Sequence, residues 1–170
     1  MLTHKRLLEI VEYNPETGMA FWKVDRRGRV KAGNRVGTIQ QGSKRSQPYR
    51  CFSCAEHGPC KIPFSHMVHF YMTGQWPKAE MDHIHGDTLD DRWLELRPAN
   101  REQNEANRGA RRHNKLGIKG VWQRQDGKYR SAIYRCGKRE DLGVFDTEQS
   151  AAAAYLAKAK VFDGKFLRAA

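Results

Sequence analysis

Asp82 and His83 are adjacent, and Asn104 follows 22 residues after Asp82. These three side chains are the parts of a metal-assisted hydrolysis. A hard divalent cation such as Mg²⁺ takes oxygen ligands and keeps waters that a substrate phosphate can displace. The Asp82 carboxylate and the Asn104 amide oxygen are two such donors. On a strand, Asp82 and His83 would point to opposite sides, because neighbours alternate. The aspartate could then hold the cation while a neutral His83 imidazole takes a proton from an attacking water. The cation would meet the charge developing on the phosphate and on its leaving oxygen. An Asp-His pair alone is more often a surface or turn feature than a site, so the spacing by itself decides nothing.

Composition says what such a centre would act on. Of 170 residues, 31 are Lys or Arg against 19 Asp or Glu, a net charge of +12. That imbalance implies a polyanionic partner. Residues 108–139 hold eleven Lys or Arg against one acid, Asp126. Trp122, Tyr129, Ile133 and Tyr134 interleave with them in a strand-like pattern that a plain solvated face would not need. No apolar run approaches the roughly 18–20 residues of a membrane helix. The opening MLTHKRLLEIVEYNPETG lacks the apolar core and cleavage site of a signal peptide. A cytoplasmic location and no membrane partner are expected. The cysteines then point to thiols or metal ligands rather than disulfides. Cys51, Cys54 and Cys60, with His57 or His66, could form a structural zinc site, since Cys-x₂-Cys is a usual half-knuckle. Only half of the spacing is present, so a cysteine-rich loop is the preferred reading and zinc stays outside the expected site.

The elements that must position these residues can be read in outline. Thr3 can cap a short helix with Leu7, Ile10 and Val11 at i, i+3 and i+4. Residues 14–18, NPETG, form a turn, and 19–24 read as a strand. Residues 26–50 are basic, weakly periodic loops and short strands, and 51–60 show no period. An apolar helix around 67–72 is stopped by Gly74 and Pro77. Residues 100–107 read as a helix. Three strands, 119–123, 129–134 and 138–144, are separated by Asp126-Gly127 and Cys136-Gly137, the first a strong hairpin signal. Asp146 or Thr147 caps a final Ala-rich helix that Gly164 ends. The expected organisation is a first domain over 1–108, a basic linker over 109–117 and a small second domain over 118–170. The fold class is α+β, the second domain being a three-stranded sheet packed on one helix.

The stretches TGQWP, MDHIHGD, LDDR, LR and QNEANR, within residues 65–108, resemble the HNH nuclease family, specifically its phage- and intron-encoded group. There the pattern runs close to TGxWP, DHxxGD, DNR, NLR and QNxxN. The upstream YNPETGMAFWK resembles the usual lead-in of these proteins. The resemblance implies a ββα-metal nuclease core in which Asp82 and Asn104 hold Mg²⁺, or another divalent cation such as Mn²⁺, and His83 is the general base. Arg97 matches the arginine of NLR and Asn107 the second asparagine of QNxxN, both in supporting roles; a plain helix-end residue is the other reading of Asn107. The sequence departs from the pattern where Asp91 stands for the Asn of DNR and Glu95 for the Asn of NLR. Such asparagines tie the ββα loop together, and a carboxylate can accept their hydrogen bonds but cannot donate. His85 stands where an Asn is frequent, and Ser65 and His66 where a His-Arg pair is usual.

Residues 114–164 resemble the ethylene-response-factor (Apetala-like) DNA-binding domain, which also occurs fused behind HNH nucleases. The match is carried by Lys119-Gly120-Val121, Gly127-Lys128-Tyr129, the run LGVFDT at 142–147, and the Ala-rich helix with Tyr155. Ser131 and Ile133 should face that helix, leaving Arg130, Ala132 and Tyr134 outward. The resemblance implies that the outward face enters the DNA major groove, with Lys119, Trp122, Arg124, Arg130 and Arg139 as the contacting residues. Trp122 stands where the family commonly has arginine, and Asp141 where it has tryptophan.

The expected function is a metal-dependent endonuclease of double-stranded DNA, acting as a monomer or weak dimer. The alternatives are a catalytically degenerate, sequence-specific DNA-binding protein and an RNA-binding module, the latter lacking any ribonucleoprotein signature.

Overall fold

The computed structural model describes residues 2–42, 47–58, 60–110 and 113–167; Arg111 and Arg112, in the expected linker, lie outside them. The architecture is α+β, with four α-helices and several small sheets among the described residues. The chain divides into two compact units, Met1–Pro98 and Ala99–Ala170.

In the first unit, α1 (His4–Ile10) starts where the Thr3 hydroxyl accepts from the Arg6 N–H, and it buries Leu7 and Ile10. Val11, which the spacing predicts as the next apolar position of that helix, instead opens the antiparallel hairpin of β1 (Val11–Asn14) and β2 (Met19–Trp22). Asn14 closes the turn, its Oδ1 accepting from the N–H groups of Glu16 and Thr17. Strand alternation then buries Val11, Tyr13, Ala20 and Trp22 together. β3 (Thr38–Gln40), β4 (Tyr49–Phe52) and β5 (Ile62–Pro63) form an antiparallel sheet with β4 central. α2 (Phe64–Thr73) follows and ends at Gly74; its Phe64, Met67 and Val68 meet Leu7, Ile10 and Phe52 in the core. β6 (Glu80–His83) and β7 (Leu96–Ala99) pair as a further two-stranded sheet, so Asp82 and His83 do stand on a strand.

In the second unit, α3 (Arg101–Asn107) begins with a capping box: Asn100 accepts from the Gln103 N–H, and the Gln103 side chain accepts from the Asn100 N–H. The sequence alone places this helix before the boundary at 108, whereas the division falls ahead of it. Packing explains the difference, since Ala99 and Ala106 close on Phe166 near the far end of the chain. β8 (Val121–Gln123), β9 (Tyr129–Arg135) and β10 (Lys138–Phe145) form an antiparallel sheet with β9 central. β8 starts at Val121 rather than Lys119 because Gly120 turns the chain with φ of 74°. A Cβ on Gly120 would lie 2.2 Å from the Tyr155 ring and 2.7 Å from the Ala132 carbonyl oxygen, so only glycine fits. α4 (Glu148–Asp163), capped by Thr147, lays Ala151, Tyr155 and Ala159 on Val121 and Ile133. Its alanines let helix and sheet approach closely, and Ser131 beneath them is fully buried. No helix among the described residues is long and apolar enough to cross a membrane.

Candidate active site and nucleic-acid interface

Asp82 is buried on β6, and Arg97 of the pairing strand β7 reaches it. The Arg97 Nε donates to Asp82 Oδ2 at 2.9 Å, with Nη2 2.8 Å from the same oxygen. Arg97 thus neutralises and orients this carboxylate. His83, the next residue, has a different neighbour: its Nε2 lies 3.7 Å from Asp91 Oδ1.

Asp91 is itself deeply buried and held from several directions. Arg50 donates from Nε to Asp91 Oδ2 at 2.9 Å, and the Tyr13 hydroxyl donates to the Asp91 carbonyl at 2.7 Å. Burial, with Asp91 and Asp90 close by, pushes the Tyr13 hydroxyl above its ordinary pKa and keeps it a donor. The 14–18 turn braces the same segment. The Trp93 N–H donates to the Pro15 carbonyl at 3.0 Å. A Cβ on Gly18 would stand 2.6 Å from the Asp91 carbonyl carbon, so the turn can approach this closely only with glycine there.

The two carboxylates that depart from the nuclease pattern have therefore each acquired donors. Asp91 takes Arg50, while Glu95 takes the His85 Nδ1 at 2.6 Å and lies 3.8 Å from Arg92. Ser65 is buried on α2, and burial holds the neighbouring His66 imidazole below its ordinary pKa. Arg50 and Tyr13 are not legible as site residues from sequence. Arg50 reads as one more cation of a basic loop, and its partner lies 41 positions further along the chain.

Asn104 is part-buried within α3, and Asn107 is buried at that helix's end. Both belong to the second unit, Asp82 and His83 to the first. Carboxylate and amide oxygens are the hard donors that Mg²⁺ and Mn²⁺ accept. Among the described residues no group of three or more His, Cys, Asp or Glu side chains is arranged to hold a metal ion. Cys51 and Cys54 are buried free thiols, Cys60 an exposed one.

All five expected DNA-contacting residues are exposed or partly so on the second unit. Strand register puts Trp122, Arg130 and Arg139 on the sheet face turned away from α4. The Arg139 guanidinium lies over the Trp122 ring, 5.1 Å from its centroid. Arg124 follows β8 and pairs with Asp126 at 3.1 Å. Arg130 pairs with Asp141. Lys119 is placed elsewhere. Its ammonium donates to the carbonyls of Glu105, Ala106 and Arg108 at 2.6, 2.8 and 2.7 Å, capping the C-terminal end of α3. Burial, with Arg135 nearby, brings its pKa down to about 8. Three carbonyls take its three N–H donors, so Lys119 is an internal clamp rather than an outward cation.

No family model, curated protein or solved structure matches the chain.

Proposed function

We propose that this chain is a metal-dependent endonuclease of double-stranded DNA, with an HNH-type catalytic segment around Asp82 and His83 of β6 and a DNA-reading sheet in β8 to β10. The observation that carries the reading is the strand β6, whose consecutive Asp82 and His83 have separate neighbours, Arg97 and Asp91. A carboxylate held by an arginine, next to an imidazole with a carboxylate nearby, is an arrangement that a metal ligand and a general base would use.

In this mechanism His83 takes the proton of the attacking water, and Asp91 steadies the imidazolium that forms. Arg50 and Tyr13 hold Asp91 in place for that role. Arg97 keeps the Asp82 carboxylate oriented, and that carboxylate would offer an oxygen to Mg²⁺ or Mn²⁺; the resemblance implies Asn104 as a further ligand. The cation, when bound, supplies charge neutralisation at the phosphate and its leaving oxygen. Trp122, Arg124, Arg130 and Arg139 hold the duplex, and tethering raises the effective concentration of the catalytic segment at its target. One such centre cuts one strand per encounter, so nicking is the expected outcome.

Supercoiled plasmid incubated with the full chain and Mg²⁺ or Mn²⁺ tests the reading. Nicked circles that vanish with excess EDTA and with Asp82→Ala are expected. Retained DNA binding without cleavage under any divalent cation would reject the nuclease and leave a DNA-binding protein.

A further inference from the structure

The outward face of β8 to β10 carries an acid among its cations. Register sets Asp141 opposite Ala132 on the face that Trp122, Arg130 and Arg139 share. A carboxylate there opposes the phosphate attraction its neighbours provide, so it weakens non-specific binding. Its setting shows a different use. Both carboxylate oxygens are pinned: Arg130 donates to Oδ2 from Nε at 2.8 Å, and the Gly143 N–H donates to Oδ1 at 3.1 Å. Yet the side chain is still 39 % exposed. The pinning occurs at a β-bulge, where pairing steps from Asp141 opposite Ala132 to Gly143 opposite Ser131 and leaves Leu142 over. Bulges re-aim side chains next to functional surfaces. A solvated acid would need neither the bulge nor two fixed oxygens.

We propose that Asp141 is a specificity-determining residue that selects a cytosine in the DNA major groove. The inference rests on the DNA-binding reading and adds to it the base that this face prefers. An ionised carboxylate only accepts hydrogen bonds, and each oxygen has room for two. Oδ1 accepts one bond among the described residues, so it can take another. In the major groove the donors are the cytosine N4 and adenine N6 amino groups. Adenine sets its N7 acceptor beside N6, which repels a carboxylate, whereas cytosine offers its amino group alone. Arg130 completes the match. It uses Nε and one Nη2 hydrogen on Asp141, which leaves the parallel Nη1 and second Nη2 hydrogens for the O6 and N7 of the paired guanine. A fixed acceptor beside a fixed donor fork is complementary to one C·G pair.

The test is selection of bound duplexes from a randomised pool by the full chain in EDTA, which prevents cutting. Wild type, Asp141→Asn and Asp141→Glu are compared, each with a thermal melt to confirm folding. The wild type should select cytosine at one position by about 5- to 150-fold over other bases, the range of a good base contact. Asp141→Asn should bring that position near indifference, keep the others, and bind unselected duplex more tightly. Asp141→Glu, which keeps the charge but moves the oxygens, should also lose the preference. Unchanged selection in both folded variants would overturn the inference and leave the DNA-binding reading standing. A wild type that binds no duplex would overturn both.

Discussion

In the segment beside His83, the side chains of Arg50 and Asp91 are 7 % and 2 % exposed, whereas Arg130 and Asp141 on the outward sheet face are 39 % exposed each. Each pair is an arginine on an aspartate, yet the two do different work. A buried charge deprived of its partner cannot turn to water, so the Arg50–Asp91 pair can neither exchange nor drift. That rigidity suits a carboxylate next to a proposed general base, which must keep one position to be useful. An exposed pair is held weakly and screened by salt. Arg130 and Asp141 hold each other yet still face solvent, so a new partner can reach the hydrogen-bonding capacity they keep, as a recognition surface requires. The same ionic chemistry fixes geometry where it is dry and leaves choice where it is wet.

The sharpest way to break the comparison is Arg50→Ala. It leaves Asp91 buried without its cation and should cost about 3–5 kcal/mol of stability, measured by urea unfolding. The double change Arg50→Met with Asp91→Leu should recover much of that loss without restoring cleavage, because the carboxylate beside His83 is gone. A loss below about 1 kcal/mol for Arg50→Ala would mean that the pair behaves like a surface one.

Lys119→Met comes next. Three charge-assisted bonds to α3 carbonyls disappear, and about 1.5–3 kcal/mol should go with them. The salt dependence of DNA binding should stay unchanged. A shallower slope would instead make Lys119 a phosphate-binding residue.

A third, smaller effect comes from acid. The Arg26 guanidinium holds the Glu56 carboxyl down to about 2, well below its usual 4.5. Because the folded pKa is depressed, this pair's stabilisation is complete above about pH 4.5 and disappears as pH falls through about 2. Glu56→Gln should lower stability at neutral pH by about 1 kcal/mol, discounted for solvent screening of a pair that is partly exposed. The difference from wild type should close below pH 2, in urea unfolding against pH.

At the small end, Arg130→Ala and Arg139→Ala should leave the melting temperature where it is. Each should weaken DNA binding. Where the arginine neutralises a phosphate, its removal should also flatten the slope of log K against log salt by about one unit.

Much of the fold was legible because its signals are local. Thr3, Asn100 with Gln103, and Thr147 mark helix starts within a few residues of themselves, and Asp126-Gly127 marks its own hairpin. The second unit's sheet and helix followed from alternation and an Ala-rich run. Of the candidate site, Asp82 and His83 could be read, because adjacency is a property of the sequence, whereas their strand entered the sequence reading only as a condition. Asp91 reads as a defect, since its compensation by Arg50 exists only after folding. Lys119 reads as the outward start of a strand, because nothing local shows that Gly120 must turn the chain beneath Tyr155. The early division at Pro98 is hidden for a similar reason: α3 is joined to its unit by two alanines and a lysine rather than by an apolar stripe.

The most direct test of the central claim is a paired measurement on wild type and His83→Ala. Binding of a duplex in EDTA and nicking of supercoiled plasmid in Mg²⁺ are measured on the same preparations. The account expects equal binding and a nicking rate reduced by about 10²–10⁴-fold, the contribution of a positioned base. Equal nicking by both proteins would contradict it, because His83 would then not be the residue that takes the proton.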